Sequence, residues 1–216
     1  MKPEGNSRAG QLRRMFDATD ELNRQVILAS APPRPGGTLL DLGCGDGSFT
    51  RRFGASIGAA RLLGVELVDV QARAAERNGI AVTRASLAQA LPFENASIDV
   101  ILSNQVIEHL AGTDLFMSEI RRLLRPGGYA VVSTNNLASL HNILALMLGW
   151  QPWASHVSDQ ITGLGNPISP LGRQPGVSGA THLRIFTGRA LADLARHHGL
   201  RVELQRSAGF YPLAPW

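Results

Sequence analysis

The amino-acid sequence predicts an α/β protein with a doubly wound, mostly parallel β-sheet and helices on both faces of the sheet. Three observations support this fold class. Short apolar runs of strand length alternate along the chain with segments of helical periodicity. Glycines occupy every second position just after the first apolar run, where a turn from strand to helix can use them. The chain of 216 residues is long enough for one domain with a substantial core.

The predicted elements follow one another with turn and capping residues between them. Asn78-Gly79 ends one helix, and the RPGG sequence at 125–128 ends another. Thr187 is a suitable N-cap for the last helix, which Gly199 ends. The strands are predicted at residues 38–42, 61–65, 80–84, 98–103, 129–133 and 200–204, and the helices at 11–29, from 47, at 69–77, from 114, within 137–150 and from 187.

Composition and charge exclude several classes of protein. The net charge is only +4, all basic residues except Lys2 are arginines, and no run of five like charges occurs, so a nucleic-acid partner is not expected. The single cysteine, Cys44, excludes an internal disulfide and a zinc site with several cysteines. The N-terminus lacks the apolar segment of a secretory signal, and the apolar run at 143–150 is too short to span a membrane. We therefore expect a cytoplasmic protein with no membrane segment.

The sequence LLDLGCGDGSF at 39–49 indicates a ligand that carries a nucleoside. Gly43, Gly45 and Gly47 lie in the turn from the first strand to the first helix, where glycine lets a ligand approach the main chain. Glu66 ends the second strand, and a carboxylate at that place accepts hydrogen bonds from both hydroxyls of a ribose. These residues predict a nucleoside whose sugar lies between the first two strands.

Four sequence blocks, in order, resemble those of class I S-adenosylmethionine-dependent methyltransferases of types 11 and 12. The blocks are LLDLGCGDGSF, GVEL, LPFENASIDVILSNQVIEHL and LLRPGGYAVVSTNN, which together cover residues 36–136. A fifth block, HLRIFTGRALADLARHHGL, is a weaker match at 182–200. The resemblance implies a methyltransferase with a Rossmann-like fold and S-adenosyl-L-methionine as its cofactor.

The resemblance also implies one methyltransferase domain over residues 1–216. Members of the family end with an antiparallel hairpin, whereas this chain ends in GFYPLAPW and shows no pattern for a seventh strand. Three alternatives are open: the sheet lacks that last antiparallel strand, residues 210–216 pack differently, or the given sequence is cut short before that strand. An exposed edge would allow a homodimer. The parts are an N-terminal helical segment (1–35), a cofactor-binding core (36–136), a helix with a Gly/Pro-rich lid or substrate loop (137–186), and a C-terminal helix and strand (187–216).

The resemblance assigns roles in cofactor binding to the ends of the strands. The main chain at 43–45 would face the methionine part of the cofactor, with Asp41 ordering the turn. Glu66 would hold the ribose and Leu67 would pack on the adenine, while Ser86 replaces an acid that many family members have at the adenine edge. The full set of implied cofactor residues is Asp41, Gly43, Cys44, Gly45, Gly47, Glu66, Leu67, Ser86, Leu87, Asn104, Gln105 and Val106.

Catalysis and substrate binding are predicted at two further places. Glu108 and His109 are the nearest titratable residues to the expected position of the methyl group, and a histidine there is a suitable base. The alternative is that both residues only order the following loop. Residues 137–186 contain a long segment rich in glycine and proline, which is typical of a functional lid. Its candidate substrate contacts, which could equally anchor the loop, are Trp150, Trp153, His156, His182 and Arg184.

Three functions remain open from the sequence. The first is transfer of a methyl group to an oxygen or nitrogen atom of a small molecule without a metal ion, since no cluster of acids and histidines at ligand spacing is visible. The second is an accessory role, because the VELV and STNNLASLHNILALMLGWQP blocks also resemble the MetW family of methionine biosynthesis, which acts with an acyltransferase. The third is methylation of RNA, which would make binding depend strongly on salt.

Overall fold

The computed structural model describes residues 8–169 and 181–208, in which five strands form one parallel sheet. The strand order is β3-β2-β1-β4-β5, which confirms the predicted doubly wound α/β fold. The strands are β1 (Thr38–Leu42), β2 (Arg61–Val65), β3 (Ala81–Thr83), β4 (Ile98–Asn104) and β5 (Leu124–Ser133). The helices are α1 (Arg8–Ser30), α2 (Ser48–Ile57), α3 (Asp69–Arg77), α4 (Thr113–Leu123), α5 (Leu140–Met147) and α6 (Gly188–His197), with a 3₁₀ turn at Ile107–His109.

Strands β1 and β4 lie inside the sheet, and they are buried because helices cover both of its faces. All five residues of β1 are buried, and only the last residue of β4 is partly accessible. The chain continues from β1 to β2 on one side, whereas β4 lies on the other side of β1. Strand order therefore reverses between β1 and β4. In doubly wound sheets, ligands bind at this switch point, beyond the carboxyl ends of the strands.

Successive residues of the central strands pack into two apolar layers, one on each face. Leu40 joins a layer that includes Phe116 of α4, while Leu39 joins a second layer with Phe53 of α2 and Ile27 of α1. This alternation follows the two-residue period of a β-strand. The predicted covering of both faces by helices is confirmed.

The helix boundaries agree closely with the capping residues. Helix α3 has the predicted bounds, and α6 begins after Thr187, whose Oγ1 accepts a hydrogen bond of 3.1 Å from the backbone N–H of Ala190. None of the helices within the described ranges is both long enough and apolar enough to cross a membrane.

The predicted strand at 200–204 is wrong. Residues 201–208 form no regular secondary structure, and Leu204 is 52% exposed. An alternating sequence pattern gives only a local preference, and a strand also needs a neighbour for its backbone hydrogen bonds. The expectation about the packing of residues 210–216 falls outside the residues that the structure describes.

The RPGG sequence at 125–128 does not separate α4 from a later strand, as the sequence predicted, but lies inside β5. This strand begins at Leu124, and its register with β4 shifts between Ile98 and Val100. A Cβ atom on Gly128 would lie 2.8 Å from the carbonyl oxygen of Asp99, so only glycine allows this approach of the two main chains.

Candidate active site

The turn after β1 contains three glycines with positive φ, and the space around them differs. The φ angles are 86° at Gly43, 53° at Gly45 and 74° at Gly47. A Cβ atom on Gly43 would lie 2.6 Å from Val106 Cγ2, and one on Gly47 would lie 2.7 Å from Ile80 Cγ1. A Cβ atom on Gly45 would meet nothing within 4 Å. Gly43 and Gly47 therefore allow close packing, whereas Gly45 leaves the main chain open to a ligand.

Glu66 directly follows β2, and its carboxylate holds the glycine turn. Oε2 accepts a hydrogen bond of 3.0 Å from the backbone N–H of Gly45, and Oε1 accepts one of 2.8 Å from that of Val68. Each carboxylate oxygen has two acceptor positions, so one on each oxygen is left for a further donor. Two adjacent acceptors suit the two hydroxyls of a ribose, and this role of Glu66 stays a prediction.

Asp41 links β1 to α2 from below the turn. It is buried, and its Oδ2 accepts a hydrogen bond of 2.6 Å from Thr50 Oγ1. Burial raises the pKa of Asp41 to about 7, the Thr50 hydroxyl opposes this, and the neighbouring Glu66 carboxylate adds to it. The link to α2 agrees with the predicted role in ordering the turn, while a contact between Asp41 and a cofactor stays a prediction.

Cys44 fills space behind the turn. Its Sγ lies where a Cβ atom on Gly64 would be only 2.5 Å away, and it packs with Ala75 and Ile80. Burial, with smaller contributions from nearby carboxylates, raises the pKa of this thiol to about 12. A thiol with so high a pKa is a poor nucleophile at neutral pH.

A cavity of about 190 Å³ opens beside the turn, at the carboxyl ends of β1 and β2. Leu67 is 68% exposed and leaves an apolar side chain free at the cavity wall. The Ser86 hydroxyl oxygen accepts a hydrogen bond of 3.2 Å from the backbone N–H of Ala88, so its own hydrogen is free to donate. The lining includes six predicted cofactor residues, and its full set is Gly43, Val65, Glu66, Leu67, Ala85, Ser86, Leu87, Val106 and Leu110.

The loop after β4 places Val106 against the glycine turn. The side chain of Asn104, the last residue of β4, instead contacts α1 and β5. Asn104 Oδ1 accepts hydrogen bonds from Asn23 of α1 and from Ser133 of β5. Gln105 has a φ of 58°, which is rare for a residue other than glycine, and its backbone N–H donates to the Ser133 carbonyl oxygen at 3.0 Å. Strained backbone of this kind is often found at functional sites. No glycine at this position predicts the positive φ angle.

Glu108 is fully buried next to this loop. Its Oε2 accepts a hydrogen bond of 2.9 Å from Thr134 Oγ1, and its Oε1 accepts one of 3.2 Å from Asn135 Nδ2. Its backbone carbonyl oxygen accepts from the N–H groups of Leu183 and Arg184, at 2.8 and 3.2 Å. Both partners of the carboxylate are neutral, and the backbone contacts attach the 137–186 segment directly to this residue.

His109 and His182 lie beside Glu108, with their ring centroids 4.8 Å apart. His109 Nδ1 lies 3.1 Å from the Thr181 carbonyl oxygen, and His182 Nδ1 lies 2.7 Å from that of Ala154. A carbonyl oxygen only accepts, so Nδ1 carries a hydrogen in both rings, and in the neutral form of either ring Nε2 presents a lone pair. Burial lowers the pKa of His182, which favours the neutral ring.

His156 extends this group of residues. Its ring stacks on His182 with a centroid distance of 5.1 Å, and its Nδ1 accepts a hydrogen bond of 3.1 Å from the His182 backbone N–H. Burial lowers the pKa of His156 as well. Together with residues 157–159 and 181–183, His156 and His182 line a second cavity of about 220 Å³.

The fold forms an acid-and-histidine cluster that no ligand spacing in the sequence marks, and the absence of a metal from the reaction stays a prediction. One potential ligand atom from each of Glu108, His109 and His182 lies within 4.8 Å of the other two. Their spacing in the sequence hides this cluster, because the fold brings His182 to His109 from 73 positions further along the chain.

The remaining predicted substrate contacts serve to anchor the 137–186 segment. Trp153 packs on His141 of α5 with a ring-centroid distance of 5.1 Å, and its backbone N–H donates to Asn142 Oδ1. The backbone N–H of Trp150 donates to the Ala145 carbonyl oxygen, at the end of the same helix. Arg184 Nη2 donates to the carbonyl oxygen of Ala111 at 2.7 Å. The alternative reading as loop anchors therefore describes these contacts.

The apolar side chains of helix α5 are largely exposed. Asn142 and Ala145 are buried, whereas Met147 is 77% exposed. Asn142 also connects α5 indirectly to His182, because its Oδ1 accepts from the Trp153 backbone N–H and the carbonyl oxygen of the next residue, Ala154, accepts from His182 Nδ1. The exposed apolar residues on or next to the helix are Leu140, Ile143, Leu144, Leu146, Met147 and Leu148.

Comparison with known proteins identifies relatives over most of the chain. The family described as a methyltransferase domain matches residues 12–205. A ubiquinone biosynthesis O-methyltransferase of Mesorhizobium japonicum is 34% identical over 135 residues, which are 59% of this chain and 54% of that protein. The chain spans about half the length of the curated relatives that it matches.

Solved structures agree on the fold. A methyltransferase in complex with the Trm112 methyltransferase activator of Haloferax volcanii has a TM-score of 0.64 and 19% identity, covering 99% of this chain and 83% of that one. An S-adenosylmethionine-dependent methyltransferase from Mesorhizobium loti has a TM-score of 0.60 and 22% identity, covering 83% and 81%. At these identities, the likeness shows the fold alone.

Proposed function

Since the chain belongs to the class I S-adenosylmethionine-dependent methyltransferases, we propose that it transfers a methyl group to a hydroxyl oxygen of a small-molecule acceptor. The observation that carries this proposal is the cluster of buried Glu108 with the partly buried His109 and His182, which follows directly on the loop beside the glycine turn. The similarity to an O-methyltransferase of ubiquinone biosynthesis supports oxygen as the acceptor atom.

The first cavity fits S-adenosylmethionine in three respects. The free acceptor positions of Glu66 suit its ribose, and the exposed Leu67 suits its adenine. The open main chain at Gly45, which is hydrogen-bonded to Glu66 at the edge of this cavity, suits its amino-acid part. Bound there, the cofactor supplies a methyl group on a positively charged sulfur. The residues of the turn hold it in place, and Val106 lies at the end of the cavity that leads to Glu108.

The cluster handles the proton of the acceptor. A hydroxyl group has to lose its proton as the new bond to carbon forms. The Thr181 carbonyl fixes the His109 ring so that Nε2 has a free lone pair, and the Ala154 carbonyl does the same for His182. Glu108 adds a negative charge beside both rings. These three side chains therefore bind the acceptor oxygen and favour the loss of its proton.

The second cavity is the proposed position of the acceptor. It is lined by His182, which belongs to the cluster, and by other residues of the 137–186 segment. The exposed leucines and Met147 of α5 belong to the same 137–186 segment and suit an acceptor with an apolar part. An apolar acceptor also agrees with the name of the relative from Mesorhizobium japonicum.

The test is a methyl-transfer assay with S-adenosylmethionine carrying a deuterated methyl group. The purified protein is incubated with extracts of small molecules and separately with RNA, and labelled products are identified by mass spectrometry. We expect the label on the oxygen of an apolar hydroxyl compound. Label only on nitrogen or only in RNA would contradict the proposal. Cofactor binding without transfer, together with a stable complex with an acyltransferase, would support a MetW-like accessory role instead.

A further inference from the structure

We infer that Glu108, His109 and His182 bind one divalent transition-metal ion at the acceptor side of the site. The three residues offer one carboxylate oxygen and two imidazole nitrogens, all within 4.8 Å of one another. Zinc lies about 2.0–2.2 Å from such ligands, which places tetrahedral ligand atoms about 3.3 Å apart. The cluster therefore has to contract by at most about 1.5 Å, a distance that side-chain rotation covers.

The hydrogen bonds of both histidines have the pattern found around metal ligands. A histidine that binds a metal usually donates its other ring N–H to a carbonyl or carboxylate, which fixes the tautomer and the direction of the free nitrogen. His109 donates from Nδ1 to the Thr181 carbonyl, and His182 donates from Nδ1 to the Ala154 carbonyl. Both Nε2 atoms are therefore ready to bind an ion.

The carboxylate of Glu108 lacks a compensating cation. It is 0% exposed, and its hydrogen-bond partners are the neutral side chains of Thr134 and Asn135. Within the described ranges, its carboxylate takes part in no ion pair with arginine. A buried charge without a partner is costly, because nothing replaces its lost hydration. A bound cation would remove this cost.

His156 provides a second, independent observation at the same place. Its Nδ1 accepts a hydrogen bond, so Nε2 carries the hydrogen, and this Nε2 atom is buried with no partner among the described residues. A buried donor without an acceptor needs a partner that is supplied by a ligand or water. An oxygen atom bound to the ion beside His182 would accept this hydrogen bond.

The ligand set restricts the kind of ion. Two imidazoles and one carboxylate favour zinc, iron, cobalt or manganese over magnesium and calcium, which prefer oxygen ligands. Three protein ligands also leave coordination positions open, as in catalytic sites. The ion would lie between the two cavities, since Val106 and Leu110 flank Glu108 and His109 in the chain while His182 lines the second cavity.

The role of this ion, unlike its binding, rests on the proposed function. With the ion in place, Glu108, His109 and His182 would act on the acceptor through the ion and not directly. An acceptor hydroxyl bound to the ion would lose its proton to water more easily, because the cation stabilises the negative oxygen. A lone pair of that oxygen then forms the new bond to the methyl carbon. The carbon–sulfur bond breaks and its electron pair stays on sulfur, so the products are a methyl ether, a neutral thioether and the released proton.

The test is metal binding by the full chain. The protein is freed of metal with a chelator, and the binding of Zn²⁺, Mn²⁺, Co²⁺ and Mg²⁺ is measured by equilibrium dialysis with elemental analysis. We expect one Zn²⁺ or Co²⁺ ion per chain, and a loss of affinity of at least about 100-fold in Glu108→Gln and in His182→Gln. His198→Gln is the matched control, because it disrupts the exposed group of Asp114, His197 and His198 and should leave binding unchanged.

The outcomes separate this inference from the proposed function. Failure of the unaltered protein to bind a stoichiometric ion, or equal affinity in Glu108→Gln, His182→Gln and the unaltered chain, would overturn the inference. Methyl transfer to a hydroxyl compound at full rate without metal would overturn the role of the ion and leave the proposed function standing. Tight binding of one ion without any methyl transfer would contradict the proposed function and leave the inference of a metal site standing.

Discussion

The carboxylate of Glu66 and the backbone N–H of Gly45 are joined by a hydrogen bond of 3.0 Å, although 21 residues separate them in the sequence. This bond connects the turn after β1 to the end of β2. The same side chain therefore shapes the open main chain and keeps acceptor positions free for a ligand. A change at Glu66 should weaken cofactor binding through both effects.

Glu66→Gln should lower the affinity for S-adenosylmethionine about 10- to 100-fold, because hydrogen bonds to a charged carboxylate are lost or weakened. Isothermal titration calorimetry measures this directly. Glu76→Gln is the control, because Glu76 only forms an exposed ion pair with Arg84. This variant should bind the cofactor with the affinity of the unaltered protein. Equal affinities of Glu66→Gln and the unaltered protein would remove the assignment of the ribose to Glu66.

Alanine at Gly45 and at Gly43 should have different consequences. A Cβ atom on Gly45 has space but points into the region assigned to the cofactor, so Gly45→Ala should lose cofactor binding at a cost in stability of about 1–2 kcal/mol from its positive φ. Gly43→Ala should be less stable than that, because its Cβ atom meets Val106 at 2.6 Å. Urea unfolding and calorimetry check both variants. Normal binding by Gly45→Ala would count against the assignment.

The buried Asp41 should make stability depend on pH. Its pKa is raised from 3.8 to about 7, so the folded state holds the proton more tightly than the unfolded chain. Stability should therefore fall as pH rises from about 4 to about 7, and the penalty, up to about 4 kcal/mol, should be complete above that range. Asp41→Asn has no such proton to lose and can still accept a hydrogen bond from Thr50.

Urea unfolding of both proteins across this pH range tests the assignment of Asp41. The difference in free energy of unfolding should shift in favour of Asp41→Asn with rising pH and become constant above about pH 7. A difference that does not vary with pH would show that burial does not raise the pKa of Asp41.

His109→Gln should slow methyl transfer about 100-fold or more and leave the affinity for the cofactor unchanged. The reason is that His109 Nε2 faces the acceptor side, whereas the cofactor residues lie in the first cavity. Steady-state kinetics gives kcat, and calorimetry gives the cofactor affinity. His198→Gln, on the surface between α4 and α6, is the control. If kcat were the same in His109→Gln, the residue would only order the loop.

The cofactor side of the site could be predicted because its determinants are local. Glycines in a turn and an acid at a strand end are visible within short sequence blocks, and the fold places Gly43, Glu66, Leu67, Ser86 and Val106 around one cavity as expected. The positive φ angle at Gln105 could not be predicted, because no glycine occupies that position.

The acceptor side could not be predicted, because it depends on contacts between distant parts of the chain. His182 meets His109 only when the 137–186 segment folds back and binds the carbonyl oxygen of Glu108. The prediction of a strand at 200–204 was wrong for the same kind of reason, because an alternating pattern does not show whether a neighbouring strand is available for pairing. The exposure of the apolar residues of α5 also depends on tertiary packing.

The most direct measurement is a crystal structure of the protein with S-adenosylhomocysteine, the product form of the cofactor. We predict that both ribose hydroxyls bind the carboxylate of Glu66 and that the amino-acid part lies along the main chain at Gly45. We also predict that the sulfur lies next to Val106, on the side of Val106 that faces His109. A nucleoside bound elsewhere, or a first cavity that stays empty at saturating ligand concentration, would contradict it.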